Sequence, residues 1–210
     1  MREWICDAIS DRLVRLVQPV LFALLSVPLL WLVYAIALEI SNAGSALGAD
    51  PGEAVVLHLG EWTLRVLIFT LAVSSLRRRA GFAWLIRSRR MIGLWGYAYL
   101  CMHLLSYVGL LSEFDWRLVL EDLVERTYIT AGMLALLLLT PLAVTSTQAW
   151  RRRLGRNWQR LHRLIYPAVG LGLIHLAWLT KDGYGEVALY GVIFGLLMFE
   201  RIHHGRATRD

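Results

Sequence analysis

Long apolar runs, interrupted by short polar clusters, dominate the chain. The hydrocarbon core of a bilayer is about 30 Å thick and takes about 20 helical residues at 1.5 Å each. Six stretches approach that length, near residues 16–40, 60–76, 91–112, 128–146, 161–180 and 185–202. The second is the shortest and carries Arg65 near one end, where a long side chain can snorkel toward the headgroups. The first follows Arg12 and Arg15 and precedes small residues at Ala43–Ala46, so it superficially resembles a secretory leader. Its apolar stretch is too long for a cleaved leader, and it reads as a retained span. The pattern predicts an all-α integral membrane protein, a six-transmembrane-helix bundle forming one domain over residues 1–210.

Composition narrows the alternatives. Of the 210 residues 57% are hydrophobic and 18% charged, against about 45–50% and 25% for a soluble domain. A disordered chain, a nucleic-acid-binding module and an ordinary cytosolic enzyme are excluded on that basis. The net charge of +6 would suit a polyanion, but its distribution has another meaning. Residues 1–15, 77–90, 151–163 and 201–210 hold 18 of the 22 basic residues, and the loops between them across the bilayer hold 3. Those same opposite loops carry 11 of the 16 acids. The positive-inside rule then puts both termini in the cytoplasm. Cys6 and Cys101 make no disulfide or zinc pattern; Cys101 reads as a small buried hydrophobe.

Histidine inside a span is costly unless paired or functional. His203 and His204 follow the last span and read as solvated tail residues, and His58 as an interfacial residue without a ligand. His103 lies 13 residues beyond Arg90 and His175 15 beyond Arg160, so the two reach a similar depth on separate helices. Two imidazoles at one depth can supply both axial ligands of a b-type haem, or can simply hydrogen-bond to carbonyls or water.

His162 precedes His175 by 13 residues, about 20 Å along a helix but about 140° around it. A kink at Pro167, with Gly170 and Gly172 after it, is one way to bring the two faces together. The third span offers no histidine at the depth of His162, where Arg89 and Arg90 stand instead. RSRR at 87–90 and RRRLGR at 151–156 are orientation signals first. Their guanidinium groups can also hold haem propionates, a flavin phosphate or anionic lipid. Trp158, Trp95, Tyr97 and Tyr107 read as interfacial or packing residues. No dinucleotide motif, Walker loop or Ser–His–Asp cluster is visible. The chain is suited to passing electrons and lacks a domain to collect hydride.

Three blocks resemble one family: LIRSRRMIGLWGYAYLCMHLLSY at 85–107, LTPLAVTSTQAWRRRLGRNWQRLHRLIY at 139–166 and IHLAW at 174–178. LGADPGEAVVLHLGEWTLR at 47–65 is similar to that family's first outer loop and second span. The family is MsrQ, formerly YedZ, the haem-binding membrane subunit of the periplasmic methionine sulfoxide reductase system, within the ferric-reductase-like transmembrane group. The resemblance implies a six-helix bundle in the bacterial inner membrane with one or two heme b groups, His103 and His175 being the axial ligands of one. His162 matches the family's further histidine, for an inner haem, and FMN is implied as a second cofactor. It also implies electron transport from the quinone pool or a cytosolic flavin reductase. The acceptor would be a periplasmic molybdopterin subunit that reduces methionine sulfoxide. Other classes stay open: the cytochrome b anchor of another respiratory complex, a stand-alone ferric or cupric reductase, and a haem-free transporter.

Overall fold

A computed structural model describes residues 2–80, 85–180 and 183–207, with side chains over 15–79, 85–180 and 183–204. Gly81–Trp84 of one basic loop, Lys181 and Asp182, and the Cys6 and Arg12 side chains lie outside the described residues. Among the described residues there are only helices, turns and bends. In chain order the α-helices are α1 (Arg2–Ser41), α2 (Pro51–Ala80), α3 (Leu85–Ser106), α4 (Trp116–Glu125) and α5 (Thr127–Val144). They continue with α6 (Gln148–Leu154), α7 (Arg156–Leu161), α8 (Ile165–Leu179) and α9 (Gly185–Ala207). An all-helical chain is what lipid requires, because every backbone group is then paired within its own segment.

Among the described residues four helical stretches are long and apolar enough to cross a membrane: Arg15–Ser41, Pro51–Arg79, Leu85–Leu111 and Thr127–Val144. These correspond to the first four expected spans, with shifted ends. The second was expected at 60–76 but starts at Pro51, where the Asp50 carboxylate accepts a hydrogen bond from the Glu53 N–H at 2.9 Å. Proline in the first turn loses nothing, since its missing N–H has no helical partner there. The fifth expected span, 161–180, is divided. His162–Leu164 form a 3₁₀ turn, and α8 has only 15 residues. Pro167 is the third residue of α8, within the first turn, where it breaks no hydrogen bond. The departure from an ideal helix therefore comes at the 3₁₀ turn, before the proline rather than at it. The sixth expected stretch, 185–202, lies within α9. The basic connection at 151–163 is also helical, formed by α6, α7 and the start of the 3₁₀ turn.

The chain divides within α3 into two compact units, residues 1–99 and 100–210. In the first, α1 buries a single stripe, Leu25, Pro28, Leu32 and Ala35, at helical spacing. Apolar residues such as Leu24, Leu30 and Val33 stay exposed, as on a helix facing lipid. α2 is the most enclosed of the four spans. Its buried Thr63 and Thr70 donate to the carbonyls of Leu59 and Val66, each at 2.8 Å, so that both hydroxyls are satisfied inside the helix. Arg65 pairs with Glu61 at 2.9 Å and lies over Trp62, which neutralises it locally. Tyr99, fully buried, donates to the Leu25 carbonyl at 2.7 Å and ties α3 to α1.

In the second unit the most extensive helix contact is between α5 and α8. Ala131, Ala135, Leu139 and Leu142 form the buried face of α5, opposite Ile165, Ala168 and Val169 of α8. Lipid gives no hydrophobic drive for helix pairing, so small residues that admit close backbone approach supply it through packing. α3 ends in one π turn, Tyr107–Leu111. Beyond it Glu113 and Phe114 adopt positive φ of 46° and 61°. The Phe114 ring folds back over Gly109, where a Cβ would meet it at 3.4 Å.

Candidate functional site

His103, in the last turns of α3, and His175, in α8, face one another. Their ring centroids are 6.1 Å apart and their planes are nearly perpendicular, at 82°. Both rings are half-buried. His175 is further fixed by α5: its Nδ1–H donates to the Tyr128 carbonyl at 2.6 Å. A carbonyl only accepts, so in neutral His175 the proton is on Nδ1 and the lone pair on Nε2. The face of the ring lies against Gly132, one turn beyond Tyr128, where a Cβ would come within 3.0 Å of Nδ1. A metal bound by one nitrogen of each ring at about 2 Å sets the ring centroids about 6 Å apart, close to the spacing found. Among the described residues no group of three or more His, Cys, Asp or Glu side chains could hold a bare metal ion. Two imidazoles alone suit a metal whose remaining positions are filled by a macrocycle.

His162 opens the 3₁₀ turn and sits in a different setting. Trp158, one turn earlier, stacks on it at 3.9 Å with the rings 28° apart. The indole N–H donates to the Thr145 carbonyl at 2.9 Å, and the Arg151 guanidinium lies over the Trp158 ring at 6.0 Å. The His162 Nε2 meets the Thr145 hydroxyl at 3.2 Å. That hydroxyl already donates its one proton to the Pro141 carbonyl at 2.6 Å, so it accepts from His162. Nε2 therefore carries a proton at His162, the reverse of His175.

Arg89 and Arg90 belong to the first turns of α3, in the other compact unit; Arg89 is half-buried and Arg90 exposed. Arg90 and Arg87 line an open groove of about 540 Å³ with Gln18, Phe22 and Trp95. His58 donates from Nε2 to the Pro28 carbonyl at 3.1 Å and stacks on Trp31 at 4.9 Å, so it acts as a polar tie between α1 and α2. His203 and His204 are exposed, and Cys101 is a half-buried free thiol.

Near the His103–His175 pair, Tyr107 donates to the buried Asp122 at 2.7 Å, and Asp122 also pairs with Arg126 at 2.8 Å. The Tyr128 hydroxyl accepts from Arg126 at 3.2 Å. The hydrogen bond to Tyr128, ahead of the nearby Asp122 charge, raises the Arg126 pKa above its usual value. The sequence singled out neither Tyr128 and Gly132 nor Thr145. A glycine within the apolar run TAGMLALLLL was the one visible trace, and it does not say what lies against it.

Comparison with known proteins covers most of these residues, the family match ending two residues before His175. Residues 59–173 match the family described as ferric reductase like transmembrane component. Several curated relatives carry the name protein-methionine-sulfoxide reductase heme-binding subunit MsrQ. The Rhodospirillum rubrum protein is 49% identical over 160 residues, covering 76% of this chain and 77% of the relative. A Xanthomonas campestris protein is 49% identical over 161 residues, 77% of this chain and 74% of its own. The Caulobacter vibrioides protein is 43% identical over 182 residues, 86% and 84% respectively. No solved structure matches the chain. The matched segment contains α3 and α5 complete with His103, Tyr128, Gly132 and His162, and the chain belongs to the MsrQ family of ferric-reductase-like transmembrane proteins.

Proposed function

We propose that this chain is a membrane cytochrome b subunit that carries electrons across the bacterial inner membrane, with one b-type haem held between His103 and His175. The observation that carries the reading is the 6.1 Å, nearly perpendicular pair of imidazoles. The name of the relatives, heme-binding subunit, supports it independently. The donor set fits: two neutral imidazoles complete a porphyrin iron without further protein ligands. When bound, such a group supplies a one-electron couple. The chain's own residues do the rest. α3 and α8 present the rings, the Tyr128 carbonyl orients His175, and the half-buried setting limits water near the iron and so helps set its potential.

The wider reading rests on what the resemblance of the sequence to its family implies. Electrons enter from the quinone pool or a cytosolic flavin reductase and leave to a periplasmic, molybdopterin-containing methionine sulfoxide reductase that repairs oxidised envelope proteins. All six apolar stretches span the membrane as one domain, with α8 and its 3₁₀ turn forming the fifth and both termini cytoplasmic. His162 marks an inner site for a second haem or FMN, on the cytoplasmic side of His175; within the first unit, Arg89 and Arg90 are available to anionic groups of a cofactor or lipid. A stand-alone ferric or cupric reductase is the second reading, favoured by the match to the ferric reductase family. Both readings use the same haem.

His103→Ala and His175→Ala should each abolish the low-spin haem spectrum while leaving the protein in the membrane. Unchanged low-spin haem in both variants would falsify the ligand assignment. A pyridine haemochrome and flavin assay on the purified protein counts cofactors per chain. Electron delivery to a purified periplasmic partner, against direct reduction of ferric or cupric chelates, separates the two readings.

A further inference from the structure

α5 contributes no histidine or cysteine, yet it makes a close polar contact to His175. The Nδ1–H of His175 donates to the Tyr128 carbonyl at 2.6 Å across a sequence distance of 47 residues. In a regular helix that carbonyl already accepts the N–H of the residue four positions on, which is Gly132. Its second lone pair is what the imidazole uses. Residue 132 stands over that lone pair. A Cβ there would lie 3.0 Å from Nδ1, 3.2 Å from Cε1 and 3.4 Å from Cγ of His175, inside the roughly 3.5 Å of ordinary packing contact. With a Cβ at position 132 the ring would have to give way by a few tenths of an ångström, away from the geometry in which it reaches the carbonyl.

We infer that Gly132 is a positioning residue for the haem, acting by admitting the hydrogen bond from His175 to the Tyr128 carbonyl and so fixing Nε2 as the iron-facing nitrogen. This rests on the proposal that His175 is an axial ligand. A hydrogen bond on the distal nitrogen makes an imidazole a stronger donor to its metal. A stronger donor favours the oxidised iron and lowers the reduction potential. The small residues at 131, 132 and 135 thus serve two purposes, close α5–α8 packing and access to one acceptor.

The test is Gly132→Ala in the full chain, compared with Gly195→Ala. Gly195 is also helical, in α9, and nothing lies within 4 Å of its Cβ position. Alanine is the better helix former at both sites, so neither change weakens its helix. Gly132→Ala should raise the midpoint potential, shift the g values of the low-spin EPR signal and reduce haem affinity about 10- to 100-fold, the usual range for outer-shell changes. Gly195→Ala should leave all three unchanged. Wild-type potential and EPR in Gly132→Ala, with low-spin haem lost in His175→Ala, overturn the inference and leave the ligand reading intact. Wild-type low-spin haem in His175→Ala overturns both. One further measurement needs no substitution: electron–nuclear double resonance on the ¹⁵N-histidine-labelled protein should find an axial imidazole with a strongly hydrogen-bonded Nδ1 proton. Its absence from both ligands overturns the inference.

Discussion

Each histidine inside a membrane helix must satisfy two ring nitrogens, and three of them here do so differently. His58 spends Nε2–H on the Pro28 carbonyl and joins two helices. His175 spends Nδ1–H on the Tyr128 carbonyl and keeps Nε2 for another use. His162 spends Nε2–H on Thr145 while Trp158 covers its ring. The last arrangement holds the residue against an aromatic face. His162→Ala should slow reduction by a cytoplasmic-side donor more than it alters the spectrum of the His103–His175 pair. Stopped-flow reduction in vesicles measures it, and unaffected kinetics remove the relay role. The facing pair was legible in the sequence because span periodicity and distance from the basic clusters fix depth. The partners were not. Tyr128, Gly132 and Thr145 meet their histidines through the register of α5 against the α7–α8 segment, and no local pattern encodes a register between helices.

At the scale of elements, α4 shows how much rests on a short helix end. Asp115 caps it, its carboxylate accepting from the N–H groups of Arg117 at 2.8 Å and Leu118 at 3.4 Å. The helix carries Asp122, which receives Tyr107 and pairs with Arg126. Asp115→Ala should cost about 1 kcal/mol, or roughly a fivefold rise in local opening of α4, read by hydrogen exchange at residues 116–125. An unchanged exchange rate would show that the cap is dispensable. The existence of the elements was legible from apolar runs. Their ends were less so, since apolar length alone hid the start signal at Asp50-Pro51 and Glu53. It also hid the 3₁₀ turn at His162–Leu164, which contains Arg163, the residue whose carbonyl Pro167 would crowd in a continuous α-helix.

For the whole molecule, charge is the organising quantity. Arg77, Arg78 and Arg79 occupy the last turn of α2, and Arg151, Arg152 and Arg153 that of α6, where cations also complement the helix dipole. The opposite loops are acidic. Alkaline phosphatase fused after residue 207 should be inactive, and fused after residue 116 active, because that enzyme folds only outside the cytoplasm. The reverse pattern overturns the orientation. The all-helical membrane class was legible because it is a sum over many residues, which single-residue exceptions such as Arg65 do not disturb.

The acceptor for His175 is main chain. Every amino acid that position 128 could hold brings the same oxygen, so no codon change there deletes it. What heredity can edit is position 132, where one hydrogen atom stands in for a methyl group. Descendants of this gene should therefore keep this acceptor whatever stands in tyrosine's seat, and stay fixed one helical turn later. The fragile point of the ligand's support is a residue with nothing to show on its surface.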